Sequence, residues 1–226
     1  MGRKKKYGDN REVLLATADQ LFQQFGFNKT TMEDIAQAAS LGKSAIYSEF
    51  ASKDELLLAV VERFASNNRA RMQAIADRAD LPGASCLCVL HQVLLDLTLT
   101  VHDHASTRVR SHEITSPFQA LQPHLELQQH ALRRRIEEED VGLIASLLEK
   151  AAQRAEIPKP ADYRAAACAI RQAMMSLFPP VSIVRRLTRQ ALEQEADLLL
   201  SLLLGGLRNP NPSQRENLPA SWERSD

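Results

Sequence analysis

His102-x-His104 and Cys86-x-Cys88 are the first places to look for chemistry, because imidazole and thiolate side chains are common ligands of transition metals. A two-residue step turns side chains about 200° apart on a helix, so neither pair puts both ligands on one face. No matched four-ligand set completes either one. The chain also has no H-E-x-x-H, no G-x-S-x-G and no phosphate-cradling glycine loop, and His112-Glu113 alone is too common a pair to count. All six histidines fall between His91 and His130. An all-helical metal-binding protein or enzyme using that half is therefore the second reading, with no catalytic residue, metal or cofactor assigned.

A different chemistry is offered by Thr30 to Lys53, where cations, hydroxyls and small side chains alternate with an apolar pattern. Lys43 and Lys53, each at the start of a helical pattern, can neutralise phosphates, and the backbone N–H groups there add to the attraction. Thr30 and Thr31 put hydroxyls at the start of another helix, with Thr30 also readable as its cap. Tyr47 offers a hydroxyl to phosphate and a ring to a sugar or thymine methyl, while Ser44, Ala45 and Ser48 are short enough to let a helix sink into the major groove. Upstream, Arg3, Lys4, Lys5 and Lys6 form a run of cations with no acid. That arm either enters a neighbouring minor groove or attracts DNA without specificity.

The elements that must position these groups read as helices. Ala, Leu, Gln, Glu and Arg dominate, aromatics are 5%, and no alternating β-branched run is long enough for a sheet, so the chain is expected to be all-α. With 28 basic and 28 acidic residues the net charge is +0, so attraction to nucleic acid has to come from local distribution. Asp9 with Glu12 opens a first helix that Gly26 closes. Thr30 with Glu33 reads as a capping box for a second, burying Met32, Ile35, Ala36 and Ala39. After Ser40-Leu41-Gly42 a third helix turns Ile46 and Phe50 inward, which sets Ser44 and Ser48 outward. Ser52 with Glu55 starts a long fourth helix to about Ala79, broken by Pro82-Gly83. Gly83 to about Asp103 is apolar on most sides and hence central. A further long helix ends near Ile157, and in it Arg133, Arg134 and Arg135 stand four residues before Glu137, Glu138 and Glu139, read as a solvated face with weak ion pairs. Asp162–Phe178 and about Val181–Leu207 are the last helices.

The three cysteines make no paired framework, no apolar N-terminal leader is visible, and the most apolar stretches are interrupted or short, so a cytoplasmic protein without a membrane span is expected.

From Arg11 to about Phe64 the chain resembles the DNA-binding domain of the TetR family of bacterial transcriptional regulators. The resemblance rests on Phe25-Gly26-Phe27, Thr30-Thr31-Met32, Asp34-Ile35-Ala36, Ala39, Lys43, Ile46-Tyr47, Phe50 and Ser52-Lys53-Asp54-Glu55-Leu56. Ser40 stands where a glycine is usual, and Gly42 where a capping serine is. By composition 1–8 reads as a basic arm and 208–226, where prolines stand among polar residues, as a disordered tail. The resemblance implies a three-helix helix-turn-helix domain over 9–51 and a helical effector-binding and dimerisation domain over 52–207. It further implies a homodimer that holds two reading heads on a palindromic double-stranded operator and acts as a repressor released by a small-molecule effector. Ala165, Ala169, Leu177, Leu198, Leu199, Leu202 and Leu203 are the candidate dimer face, the alternative being ordinary intrachain core. His91, His112, Phe118, Met174, Met175 and Phe178 are candidate pocket walls, with core packing or surface placement equally open.

Overall fold

The computed structural model describes residues 7–109, 126–177 and 187–208, and all regular structure among them is helical. In order come α1 (Tyr7–Phe25), α2 (Met32–Ala38), α3 (Lys43–Glu49), α4 (Lys53–Ala76), a 3₁₀ turn (Asp77–Asp80), α5 (Cys86–Val109), α6 (Glu126–Gln153), α7 (Tyr163–Met175) and α8 (Arg189–Arg208).

The N-terminal helices close over a small apolar cluster in which Leu14, Phe22, Ile35, Ile46, Phe50, Leu56 and Val60 are all buried. The helical period therefore assigned the inward faces of α2 and α3, and the core of this unit continues past position 51 into α4. A second, larger cluster begins lower on α4 with Met72 and Ala76 and runs through α5, α6, α7 and α8. One continuous helix thus belongs to both clusters. By length and composition alone, Cys86–His104 of α5 would pass for a membrane-crossing helix, yet more than half of that stretch is buried in the fold, against α1, α4, α6 and α8.

Helix ends account for several departures from the expected boundaries. The first helix starts at Tyr7, so Asp9 lies inside it instead of capping it. Gly26 ends α1 with φ +89°, a left-handed conformation that glycine adopts without steric cost. Ser40 takes the same role after α2 at φ +56°, with Ser40 N–H donating to Gln37 O at 3.0 Å and Leu41 N–H to Ala36 O at 2.8 Å. This is the paired closure of a Schellman motif, formed here without the usual glycine. Ala155 repeats it at the end of α6, at φ +55°, with Glu156 N–H donating to Ala151 O at 2.9 Å.

That last turn delivers Glu156 to the start of α5. Its carboxylate accepts from Ser85 Oγ at 2.5 Å, Cys86 N–H at 2.8 Å and Leu87 N–H at 3.2 Å, while Ser85 Oγ accepts from Cys88 N–H at 3.3 Å. Amides left unpaired by helix geometry are so satisfied from 70 residues away in sequence. Burial raises the Glu156 pKa, but the bonds from Ser85, Cys86 and Leu87 outweigh it and hold the carboxyl below its ordinary value. Glu156→Ala is expected to cost about 1–2 kcal/mol in urea denaturation at neutral pH, the range of a lost helix cap. Because the folded carboxyl is the stronger acid, this contribution is complete above the unfolded value of about 4.3 and fades as pH falls through the folded one. The gap between parent and variant should therefore shrink below about pH 4; a constant gap would refute the charged cap.

The Arg and Glu run of α6 also reaches across to neighbouring helices. Arg135 reaches Glu62 of α4, and Glu137 accepts from Arg171 of α7 at 3.2 Å. Arg171 also meets Asp140 at 3.3 Å; burial pushes that carboxyl above its ordinary value even with Arg171 beside it.

Candidate nucleic-acid interface

The turn between α2 and α3 is built from the inside out. Thr30 is 2% exposed and donates its hydroxyl to Gly26 O at 2.8 Å, so it locks the α1–α2 connection and has no access to a phosphate. The cap of α2 is Thr31, one residue later than expected. Its Oγ1 accepts from Asp34 N–H at 3.1 Å, and Thr31 N–H donates back to Asp34 Oδ2 at 2.9 Å. Hydrogen bonds from the Thr31 side chain and backbone lower the Asp34 pKa, which keeps the box charged. Thr31 remains exposed at the helix start, where the anion-attracting end of the helix lies.

On α3 the inward side is Ile46, fully buried, followed by Phe50 at the C-cap. The outward side then carries Lys43, Ser44, Tyr47 and Ser48, all exposed, with Ala45 half-buried at its edge. Ser48 turns its hydroxyl back onto Ala45 O at 2.8 Å, so in this state it offers oxygen lone pairs to a partner, its proton being engaged. Tyr47 is 43% exposed, too much for a core tyrosine.

Lys53 is spent differently from expectation. Its ammonium donates to Phe27 O at 2.8 Å and Thr30 O at 3.0 Å and lies 4.3 Å from the centre of the Phe27 ring. The group ties the α1–α2 connection to the first turn of α4, and its positive charge is held at the base of the reading unit. Sequence reasoning placed Glu33 in the capping box of α2 and missed its contact with Lys43. With the box shifted to Thr31 and Asp34, the Glu33 carboxylate is released from capping and meets Lys43 Nζ at 2.6 Å, with the Tyr47 hydroxyl at 3.5 Å. The hydrogen bond from Lys43 lowers the Glu33 pKa, and the same bond raises that of Lys43. A threonine pair followed by Glu-Asp was the available signal, since either residue of each pair can form the box. Residues Arg3 to Lys6 lie outside the described residues.

The remaining candidates separate. Leu198 and Leu202 on α8 are 63% and 66% exposed, and Ala165, Ala169 and Met175 on α7 also face outward. Leu199 and Leu203 are half-buried, and Leu177 is 6% exposed in the large cluster, which corrects its assignment to an outer face. His91 bonds Asp197 of α8 at 2.8 Å, Met174 is buried in the core and Met175 is on the surface, so these three pocket candidates occupy three different environments. His112, Phe118 and Phe178 lie outside the described residues. The His102 and His104 pair diverges as the helical step requires: His102 is buried, and His104 stacks on Phe64 at 3.9 Å and bonds Asp19 of α1 at 3.0 Å. Burial lowers the His102 pKa, which favours the neutral imidazole.

Residues 14–60 match the family described as bacterial regulatory proteins, tetR family. The helix-turn-helix-type transcriptional regulator YuxN of Bacillus subtilis (strain 168) is 30% identical over 91 residues, 39% of this chain and 31% of that protein. The chain spans between a quarter and a third of the length of the curated relatives it matches. Two solved structures share the fold over most of both chains. SmeT, the repressor of the Stenotrophomonas maltophilia multidrug efflux pump SmeDEF, superposes with a TM-score of 0.62 at 19% identity, covering 88% of this chain and 90% of that one. The transcriptional regulator FadR from Bacillus subtilis, in complex with stearoyl-CoA, gives 0.63 at 20% identity, covering 86% and 98%.

Proposed function

Since the chain belongs to the TetR family of transcriptional regulators by its N-terminal helix-turn-helix and its fold, we propose that it is a repressor that binds a palindromic operator as a homodimer and leaves it when a small molecule binds the helical half. One observation carries the reading. The outward side of α3 is a row of short polar side chains with Tyr47 and Lys43, set on a helix whose opposite side is anchored by Ile46 and Phe50. A rigid, narrow, exposed helix of this kind can enter the major groove, and Thr31 and the start of α2 can flank it on the phosphates.

One head of this size covers few base pairs, so useful affinity calls for two on a common frame. The outward Ala165, Ala169, Leu198 and Leu202 support that frame on α7 and α8. The division into a reading unit up to the start of α4 and an effector and dimerisation unit beyond it also belongs to the proposal, with α4 as the shared element. SmeT's description as a repressor and FadR's stearoyl-CoA complex support ligand-responsive repression as the kind of control. A ligand acts here only through its differential affinity for two spacings of the heads.

Selection from a random duplex pool tests the proposal. Enrichment of a two-fold symmetric sequence is expected, with affinity falling steeply as salt rises. Recovery of no sequence above the starting pool, or of a motif without two-fold symmetry, would reject it.

A further inference from the structure

Glu33 sets an anion directly against the cation at the entrance of the reading helix. Glu33 stands in the first turn of α2, and its carboxylate holds Lys43 Nζ at 2.6 Å with the Tyr47 hydroxyl at 3.5 Å; the Lys43 ammonium is 5.6 Å from the Tyr47 ring centre. The three side chains come from two helices and form one contact set across the mouth of the helix-turn-helix. Both charged partners are open to solvent, with side-chain exposures of 68% for Lys43 and 50% for Glu33, so a DNA phosphate and the Glu33 carboxylate compete for the same ammonium from the same side.

We propose that Glu33 is a specificity-determining residue of the reading face: by keeping Lys43 in an internal ion pair it withholds one cation from the sequence-independent grip on phosphate. The inference rests on the DNA-binding reading above and deepens it. The physical reason lies in what each class of contact supplies. Attraction between cations and backbone phosphates is available on any sequence, and it releases condensed counterions for each phosphate neutralised. Contacts from Ser44, Ala45 and Tyr47 to base edges are available only on the right one. Taking Lys43 out of the first class lowers binding to arbitrary DNA and leaves the second class untouched. Tyr47 is held by the same carboxylate, so the hydroxyl is also kept from bonding phosphates at random. Lys53, at the start of α4, is a second cation engaged within the protein, on Phe27 O and Thr30 O.

The test is a double-mutant cycle read as salt dependence, using the full chain and a duplex of arbitrary sequence followed by fluorescence anisotropy. Glu33→Gln keeps the size of the side chain and removes its charge. It is expected to steepen the slope of log K against log salt by about 0.9, the value for one added phosphate contact, so that the variant's gain over the parent is about threefold larger at 50 than at 200 mM salt. In a Lys43→Gln background the same substitution should change the slope by less than half as much, because the cation that it frees is gone. An equal change in both backgrounds would mean that Glu33 acts only as a repelling charge, and this overturns the proposal. No change, or weaker binding, in the single variant overturns it too. A parent chain with no salt-dependent affinity for any duplex would overturn the DNA-binding reading itself, and is told apart by the parent titration alone. All substitutions are on exposed side chains, and unchanged thermal melting of each variant confirms that the comparison is made between folded proteins.

Discussion

Phe50→Ala should unfold the reading unit, with a loss of about 3–5 kcal/mol in urea denaturation. The ring is 1% exposed and lies in the cluster with Leu14, Ile35, Ile46 and Leu56, so its removal leaves a cavity where four helices meet. On its open side the Arg11 guanidinium lies 4.5 Å from the ring centre, which adds a cation–π contact that Ala cannot replace. Domains of this kind are stable by only about 5–15 kcal/mol, and the N-terminal cluster is the smaller of the two, so a loss of this size removes much of what holds α3 in place. Duplex binding should vanish with the fold. Phe50→Leu, which keeps most of the volume, should cost about half as much or less. A loss below about 1 kcal/mol for the alanine variant would mean that the cluster closes over the gap and that the ring does not anchor the unit.

The second large effect concerns pairing of the heads. Replacing Leu198 and Leu202 together by Glu places two charges on the outward side of α8, where the parent side chains are 63% and 66% exposed. Within one chain such surface changes cost little, commonly within about 0.5 kcal/mol each. If the outward sides of α7 and α8 pair two copies, four carboxylates would meet at the centre of the interface and block it. The expected result is a monomer by sedimentation velocity at concentrations where the parent is a dimer, with far-UV circular dichroism retained. Affinity for the selected operator should then fall by about 10²- to 10⁴-fold, the gain that linking two sites provides. A variant that sediments as a dimer would move the interface elsewhere on the chain.

The reading unit was legible in the sequence because its signals are short-range. A cap and its partner lie three residues apart, and an inward face recurs every three to four. Ile35, Ala36, Ile46 and Phe50 therefore fell on the buried side as the period requires. Adjacent residues of like chemistry are where this resolution ends. Thr30 and Thr31 are both competent caps, and only packing could decide that Thr30 goes inside to Gly26 O and that Thr31 caps α2. That one-residue shift also exchanged Asp34 for Glu33 in the box, which put a carboxylate on Lys43.

In the helical half the periodic pattern found the helices but not their neighbours. Leu177 and Leu198 look alike as apolar residues at helical spacing, yet one is core and the other surface. The four-residue spacing of the Arg and Glu run gives Arg135 and Glu137 neighbours only along α6, whereas the fold also brings Glu62 of α4 to the first and Arg171 of α7 to the second. Glu156 follows a helix end like many surface acids, and its function as the cap of α5 depends on a contact across 70 residues.

By itself, then, the sequence determined the helices, the inward faces of α2 and α3, and the outward row Lys43, Ser44, Tyr47 and Ser48, because these depend on interactions within about one or two turns. Tertiary structure alone decided which charges are free. Lys53 and Lys43 are equivalent cations in the chain, but the crossing of α1 and α4 brings two carbonyls to the first, and the approach of α2 to α3 brings Glu33 to the second. Such partners are set by helix-crossing geometry, which no spacing along the chain records.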